Sequence, residues 1–217
     1  MPDFSLLTEN FDVFLEGFIN TIYTSIIALV GSFVLGTVIA IFRISSIKPL
    51  RWLGTAYVEF IRNIPLLLVV FVFYYGLPSL GIVLNGFVCG TIGLTVYTAS
   101  FIAEAVRAGI MSVPKGQTEA AQSSGLTYVQ TMRHVVLPQA IKIVIPPLSN
   151  QFINLVKNSS VLSIVAGLDL MYFGEQVASK TYATFDTYIF VALFYLVLTL
   201  PLSYMALHLE RRLAKHD

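Results

Sequence analysis

Amide side chains recur every four residues in an otherwise apolar stretch, at Asn150, Asn154 and Asn158. This spacing places all three on one face of a helix. Amides can donate and accept hydrogen bonds, and the ammonium group of the neighbouring Lys157 could bind the carboxylate of a small zwitterion. The pattern predicts either a polar path through an apolar environment or hydrogen bonds to a neighbouring helix.

Further polar side chains adjoin this stripe, and two prolines precede it. Pro146 and Pro147 lack backbone N–H donors, so they are expected to weaken the helix before the stripe. Lys157 could also be an interfacial anchor with no contact to a ligand. The candidate path residues are Asn154, Lys157, Asn158, Ser159, Ser160, Tyr97 and Thr98.

Two pairs of opposite charge, Glu59 with Arg62 and Glu104 with Arg107, have three-residue spacing within apolar stretches. Residues three apart on a helix are neighbours, so each pair could form a local ion pair. An unpaired charge within a bilayer costs about 2.5–3.5 kcal/mol on insertion scales. The pairs are predicted to be satisfied near the membrane interface, and a gate at the inner mouth of a path is the alternative interpretation.

Motifs for catalysis or cofactor binding are not found in the sequence. It contains no G-x-x-x-x-G-K-[ST] phosphate-binding loop, so the chain is not expected to hydrolyse ATP itself. His134, His208 and His216 lack the spacing of metal ligands, and no G-x-S-x-G motif is present. We therefore predict a non-catalytic chain without a metal or cofactor.

The composition requires a lipid environment for most of the chain. Of 217 residues, 56% are hydrophobic and 12% are charged, whereas a soluble domain is about a quarter charged. A span needs about 20 mostly apolar residues. The sequence predicts an all-α polytopic membrane protein with a single domain, residues 1–217, and a membrane core at about 17–208. Five spans are expected, at residues 17–42, 53–77, 86–106, from 138 to a weak end at 157–160, and 187–208.

Basic residues lie almost entirely on one side of these spans. The chain reaches the same side of the membrane after span one, between spans three and four, and after span five. Of the 13 Lys and Arg residues, all except Lys157 and Lys180 lie on that side. Cytoplasmic loops carry the excess of positive charge. The C-terminus, with Arg211, Arg212 and Lys215, is therefore predicted to be cytoplasmic. The acidic N-terminus is predicted to lie outside.

The segment 112–138, between spans three and four, is more polar than its neighbours and predicts two short helices. Ser112 could cap the first helix, and Gly125 suits the left-handed position that ends one. Thr127 and Gln130 have capping-box spacing for the second helix, and Pro138 suits the start of the next span. Such a segment could dock on another protein or lie on the lipid surface.

The same segment resembles the EAA signature of bacterial ABC importer permeases. The family pattern is E-A-A, three residues, G, nine residues and I-x-L-P, and the chain departs from it only by valine at position 135. In that family, the loop contacts the ATP-hydrolysing subunit. The resemblance implies coupling roles for Glu119, Ala120, Ala121, Gly125, Leu137 and Pro138.

Three more segments resemble the polar amino acid branch of these permeases: residues 57–67, 112–117 and 155–160. The resemblance implies the type I importer fold, located in the bacterial inner membrane. It also implies a second permease subunit as homodimer or heterodimer, two ATPase subunits and an external amino-acid-binding protein. Relatives often carry aspartate where this chain has Asn158, so the neutral amide favours glutamine or glutamate. A basic amino acid such as arginine or histidine is the alternative.

Two other classes of protein fit the residues less well. A carrier or channel that works without ATP would need an ion-coupling acid in mid-membrane, and no trusted candidate is found in the span cores. A membrane-embedded enzyme would need clustered catalytic side chains near one interface, and the sequence shows no such cluster.

Overall fold

The structure, a computed structural model, describes residues 4–214, and in that range the chain forms helices joined by turns. The predicted all-α membrane architecture is confirmed there. Lys215 and His216, which entered the predictions above, lie outside the described residues. The helices are α1 (Phe4–Glu9), α2 (Phe11–Ile44), α3 (Lys48–Arg62), α4 (Leu66–Phe71), α5 (Gly86–Ser112), α6 (Lys115–Ser123), α7 (Tyr128–Thr131), α8 (Leu137–Asn158), α9 (Leu170–Thr181) and α10 (Thr184–Ala214).

Three of these helices, α2, α5 and α10, are each long and apolar enough to cross a bilayer. Two bent helix pairs pass the same test together, which raises the number of spans to as many as five if each pair is one span. One pair joins Lys48–Arg62 to Leu66–Leu80, and the other joins Tyr128–Val165 to Leu170–Thr181. The five predicted spans correspond to this upper count.

The second predicted span, residues 53–77, is not one straight helix. α3 ends at Arg62, and Pro65 precedes α4 as its N-cap residue. Proline has no N–H and disfavours a helical backbone in the residue before it. The chain consequently bends by 110° at this point, and a π-helical turn and a 3₁₀ turn then continue α4 to Leu80.

Small residues allow the central helices to pack closely. A Cβ atom added to Gly36 of α2 would lie 2.8 Å from the carbonyl oxygen of Ala99 in α5. One added to Gly109, near the end of α5, would lie 2.0 Å from Cγ2 of Val144 in α8. Membrane helices approach closely where glycine and other small residues line their contact. The C-terminal part of α5 and the N-terminal part of α8 therefore pack together.

The fourth predicted span agrees with α8 in its bounds, and an irregular segment follows it. α8 continues through Pro146 and Pro147 to Asn158, where the predicted weak end begins, and Ser159–Val165 forms a 3₁₀ segment. Ala166 then has a positive φ of 55°, and the chain turns into α9. α1 and α9 were not predicted, because neither is long enough to cross a bilayer alone.

Candidate functional site

The segment 112–138 folds as two short helices separated by a glycine turn. Gly125 has a φ of 86°, in the left-handed region. Its N–H donates to the carbonyl of Gln122 at 2.9 Å, and the N–H of Leu126 donates to the carbonyl of Ala121 at 3.2 Å. These bonds satisfy carbonyl groups at the end of α6. A Cβ atom at Gly125 would meet nothing within 4 Å, so glycine is required there by backbone conformation rather than by space.

The second helix begins with the predicted capping box. The N–H of Thr127 donates to Oε1 of Gln130 at 2.9 Å, and the N–H of Gln130 donates to Oγ1 of Thr127 at 3.4 Å. The predicted cap at Ser112 is wrong, because α5 extends through this residue and its hydroxyl donates to the carbonyl of Gly109. Pro114, which has no side-chain hydrogen-bonding group, is the N-cap residue of α6 instead.

One side of this segment is anchored to the membrane helices. Val113, Val136 and Ala140 form a buried apolar cluster, against which Met132 packs. Ala121 is also buried. A rigid attachment of this kind would make the segment move together with α5 and α8.

The other side of the segment is exposed. Glu119, Ala120 and Gly125 are accessible to solvent, and so are Leu137 and Pro138 at the start of α8. Tyr128 and Val129 are 61% and 71% exposed, although apolar side chains at helical spacing are usually buried. The exposed residues form a mixed polar and apolar surface, which we name the loop surface.

Glu104 of α5 binds two arginines. Its Oε1 accepts a bond from Nη2 of Arg107 at 2.7 Å, as the three-residue spacing predicted, and its Oε2 contacts Nη1 of Arg43 in α2. The side chain of Arg43 is 7% exposed. The contact places the C-terminal ends of α2 and α5 at the same end of the bundle. Sequence reasoning missed Arg43 as a partner because 61 residues separate it from Glu104.

The predicted ion pair between Glu59 and Arg62 is wrong: among the described residues, the two side chains form no salt bridge and both are exposed. α3 ends at Arg62, and the guanidinium carbon lies 5.2 Å from the ring centroid of Phe101 in α5, within the range of a cation–π contact. α3 therefore interacts with α5 through Arg62 and the ring of Phe101 rather than through an ion pair within α3.

The stripe on α8 faces away from the core of this subunit. Asn150 and Asn154 are exposed, and Asn158 is half-buried at the end of the helix. Polar amides are unfavourable against lipid chains. The amides of the stripe therefore need water, a polar solute or another protein subunit beside them rather than lipid.

Two of the candidate path residues, Lys157 and Ser160, border a cavity of about 600 Å³ between the end of α8, α9 and α10. Tyr188 and Tyr195 of α10 also line it. The cavity provides an ammonium group and hydroxyl groups in one place. A small polar solute with a carboxylate would find partners there.

Three other candidate path residues are positioned less favourably for binding. Thr98 is 2% exposed and Ser159 is fully buried, with its hydroxyl donating to the carbonyl of Val156 at 2.7 Å. Neither can contact a solute in this conformation. Tyr97 is partly buried, and its ring packs 5.1 Å from that of Phe101.

A buried polar cluster next to this cavity was not predicted. Asp169 is fully buried and caps α9, since its Oδ2 accepts a bond from the N–H of Met171 at 3.0 Å. Tyr195 of α10 donates to the same oxygen at 3.5 Å, and Thr21 of α2 accepts a bond from the N–H of Leu170 at 2.9 Å. The cluster joins α2, α9 and α10 behind the cavity wall. An aspartate directly before a helix is a capping signal that could have revealed α9.

The architecture defines a helical membrane protein with an exposed two-helix segment that is anchored between two spans. The chain belongs to the family of binding-protein-dependent transport system inner membrane components, whose model matches residues 32–215. The predicted family, an importer permease located in the inner membrane, is confirmed by this match.

Named relatives agree with the family assignment. Over 211 residues, the chain is 65% identical to the probable glutamine ABC transporter permease protein GlnM of Bacillus subtilis, covering 97% of this chain and 98% of that protein. It is 36% identical to the probable glutamine ABC transporter permease protein GlnP of the same organism, covering 91% and 92% of the two chains.

A solved structure has the same fold. The crystal structure of an amino acid ABC transporter with histidines matches with a TM-score of 0.92 and 36% sequence identity, covering 98% of this chain and 99% of that one. The predicted type I importer permease fold is thereby confirmed.

Proposed function

We propose that this chain is the membrane subunit of an ATP-driven importer for a polar amino acid, glutamine or glutamate, which works by alternating access. The observation that carries the proposal is the segment 112–138, which a buried cluster anchors and which exposes the loop surface. The two relatives named above, both probable glutamine ABC transporter permease proteins, support the substrate class.

We further propose that the loop surface contacts an ATPase subunit through Glu119, Ala120 and Gly125. The buried Ala121 would hold this surface against the membrane helices, and the exposed Leu137 and Pro138 would extend it to the start of α8. When the ATPase subunits close on ATP, the segment moves with them, and the anchored ends of α5 and α8 follow. An external binding protein delivers the amino acid to the opposite side.

The exposed stripe supports a dimer with a shared path. Because Asn150 and Asn154 would be unfavourable against lipid, a second permease subunit is proposed to cover this face. The solute would pass between the subunits, where Lys157 binds its carboxylate and Asn158 and Ser160 offer uncharged partners. The contact of Arg62 with Phe101 of α5, and the exposed Glu59 one turn earlier on α3, would lie near the inner mouth of this path.

The orientation is proposed from the distribution of charge. Arg43 and Arg107 share one end of the bundle through Glu104, and the segment 112–138 extends from the same helix end. Positive charge marks the cytoplasmic side. The N-terminus is therefore placed outside and the C-terminus in the cytoplasm.

Reconstitution of the importer with its binding protein tests the substrate. Glutamine or glutamate is expected to stimulate ATP hydrolysis, whereas arginine and histidine are not. Stimulation by a basic amino acid instead would favour the alternative substrate class. Uptake into vesicles that contain this chain without ATPase subunits would contradict an ATP-driven mechanism.

Lys157→Met tests the proposed carboxylate partner. We expect glutamine uptake to fall about tenfold, the effect of losing one hydrogen bond to a charged group. Lys180→Met is the matched control, because Lys180 is an exposed lysine in the last turn of α9 and does not line the cavity. Equal uptake by the two variants would contradict a role of Lys157 in binding the solute. It would leave the proposed coupling by the segment 112–138 untouched.

A further inference from the structure

A long groove follows α10 on the side that faces α8. Its upper part, about 470 Å³, lies between α2, α8 and α10. Its lower part, about 840 Å³, lies between α8 and the C-terminal end of α10. Phe152 and Leu202 line both parts, so the two adjoin, and we name them together the α8–α10 groove.

The two ends of the groove differ in chemistry. Among the described residues that line the upper part, Ser25 alone carries a polar side chain, and the rest are apolar. The lower part ends among His208, Arg211 and Arg212, and both arginines are exposed. Glu210 neighbours the arginines along the chain but does not line the groove. The groove is thus apolar within the membrane and cationic at its mouth.

The length of the groove fits one leaflet. From Val197 to Arg212, α10 rises about 22 Å at 1.5 Å per residue. Half of a typical hydrocarbon core is about 15 Å, and the headgroup region adds several ångströms. An acyl chain could follow the apolar part while its headgroup reaches the two arginines.

We infer that the α8–α10 groove binds an anionic phospholipid of the leaflet at the C-terminal end of α10. Basic pockets between membrane helices on the cytoplasmic side recognise anionic headgroups, and the acyl chain would fill the apolar part. A zwitterionic amino acid is excluded from the upper part because it would lose its hydrogen bonds to water without replacement. A second copy of this chain that met the groove on a two-fold axis would bring its own Arg211 and Arg212 against the same charges.

Native mass spectrometry of the purified full chain, with the subunits that co-purify, tests this inference. The protein is exposed to phosphatidylglycerol or to phosphatidylethanolamine, and retained lipid is counted. Preferential retention of phosphatidylglycerol is expected. The double variant Arg211→Gln with Arg212→Gln should lower it about 30-fold, as expected for two basic residues near a headgroup. Lipid retention does not depend on transport, so this result is separate from the proposed function.

Two controls distinguish the groove from general charge and from folding. Lys48→Gln with Arg51→Gln removes the same charge from exposed residues of α3 and should leave retention unchanged. Leu198→Trp fills the upper part and should lower the retention of both lipids while the arginines stay in place. Equal loss in the α3 variant, or unchanged retention in the arginine variant, would overturn the inference. So would a disulfide between two copies carrying Leu202→Cys and Cys89→Ser, because a second copy would then cover the groove.

Discussion

Gly125→Val is expected to leave the chain in the membrane while lowering uptake per ATP hydrolysed about tenfold. Gly125 has a φ of 86°, and a β-branched residue held there costs on the order of 1–3 kcal/mol. A Cβ atom would meet nothing within 4 Å, so the strain arises in the backbone. Relief of that strain would change the angle between α6 and α7. The measurement is paired uptake and ATP hydrolysis by the reconstituted importer.

Two variants control for this prediction. Gly116→Val adds the same side chain to a neighbouring glycine of α6, where a Cβ atom also meets nothing within 4 Å and no positive φ is present. Gly125→Asn retains a residue that tolerates the left-handed region. Both should couple hydrolysis to uptake much better than Gly125→Val. Equal coupling in Gly125→Val and Gly116→Val would contradict the role of the glycine turn.

Glu104→Ala is expected to lower the free energy of unfolding by about 1–3 kcal/mol, the cost of leaving one buried charged donor without its partner. Glu104 binds Arg107 and Arg43, and the Arg43 side chain is 7% exposed. Loss of the Glu104 carboxylate would leave the buried charge of Arg43 without an acidic partner. Thermal unfolding of the detergent-solubilised chain provides the measurement.

Removal of both charges should be less harmful than removal of one. In Arg43→Leu with Glu104→Leu, only the partly exposed Arg107 loses its partner and no buried charge is left unpaired, so the double variant should be more stable than Glu104→Ala. Glu59→Ala removes an exposed acid of α3 and should change stability by less than about 0.5 kcal/mol. If Glu104→Ala were as stable as Glu59→Ala, the charge cluster would have no part in joining α2 to α5.

Local backbone structure was predictable from the sequence wherever a few neighbouring residues determine it. The glycine turn at Gly125 and the capping box of Thr127 with Gln130 depend on neighbouring residues, and the structure has both. The amphipathic period of α8 likewise placed Asn150 and Asn154 on one exposed face.

Features that depend on tertiary packing could not be read from the sequence. Arg43 meets Glu104 only because α2 and α5 lie side by side, and nothing within either segment identifies the partner. Arg62 has the spacing for an ion pair with Glu59, but it contacts Phe101 because α3 ends there and meets α5. Ser159 has a suitable side chain for binding, yet the 3₁₀ segment buries it.

Cross-linking in the assembled importer tests most directly whether the segment 112–138 contacts an ATPase subunit, as its coupling role requires. Ala120→Cys, in a Cys89→Ser background, places a single thiol on the loop surface. Val83→Cys, in the same background, places one on an exposed turn before α5, at the other end of that helix. We predict a cross-link to the ATPase subunit from position 120 and none from position 83. A cross-link from position 83 alone, or from neither position, would contradict the coupling role.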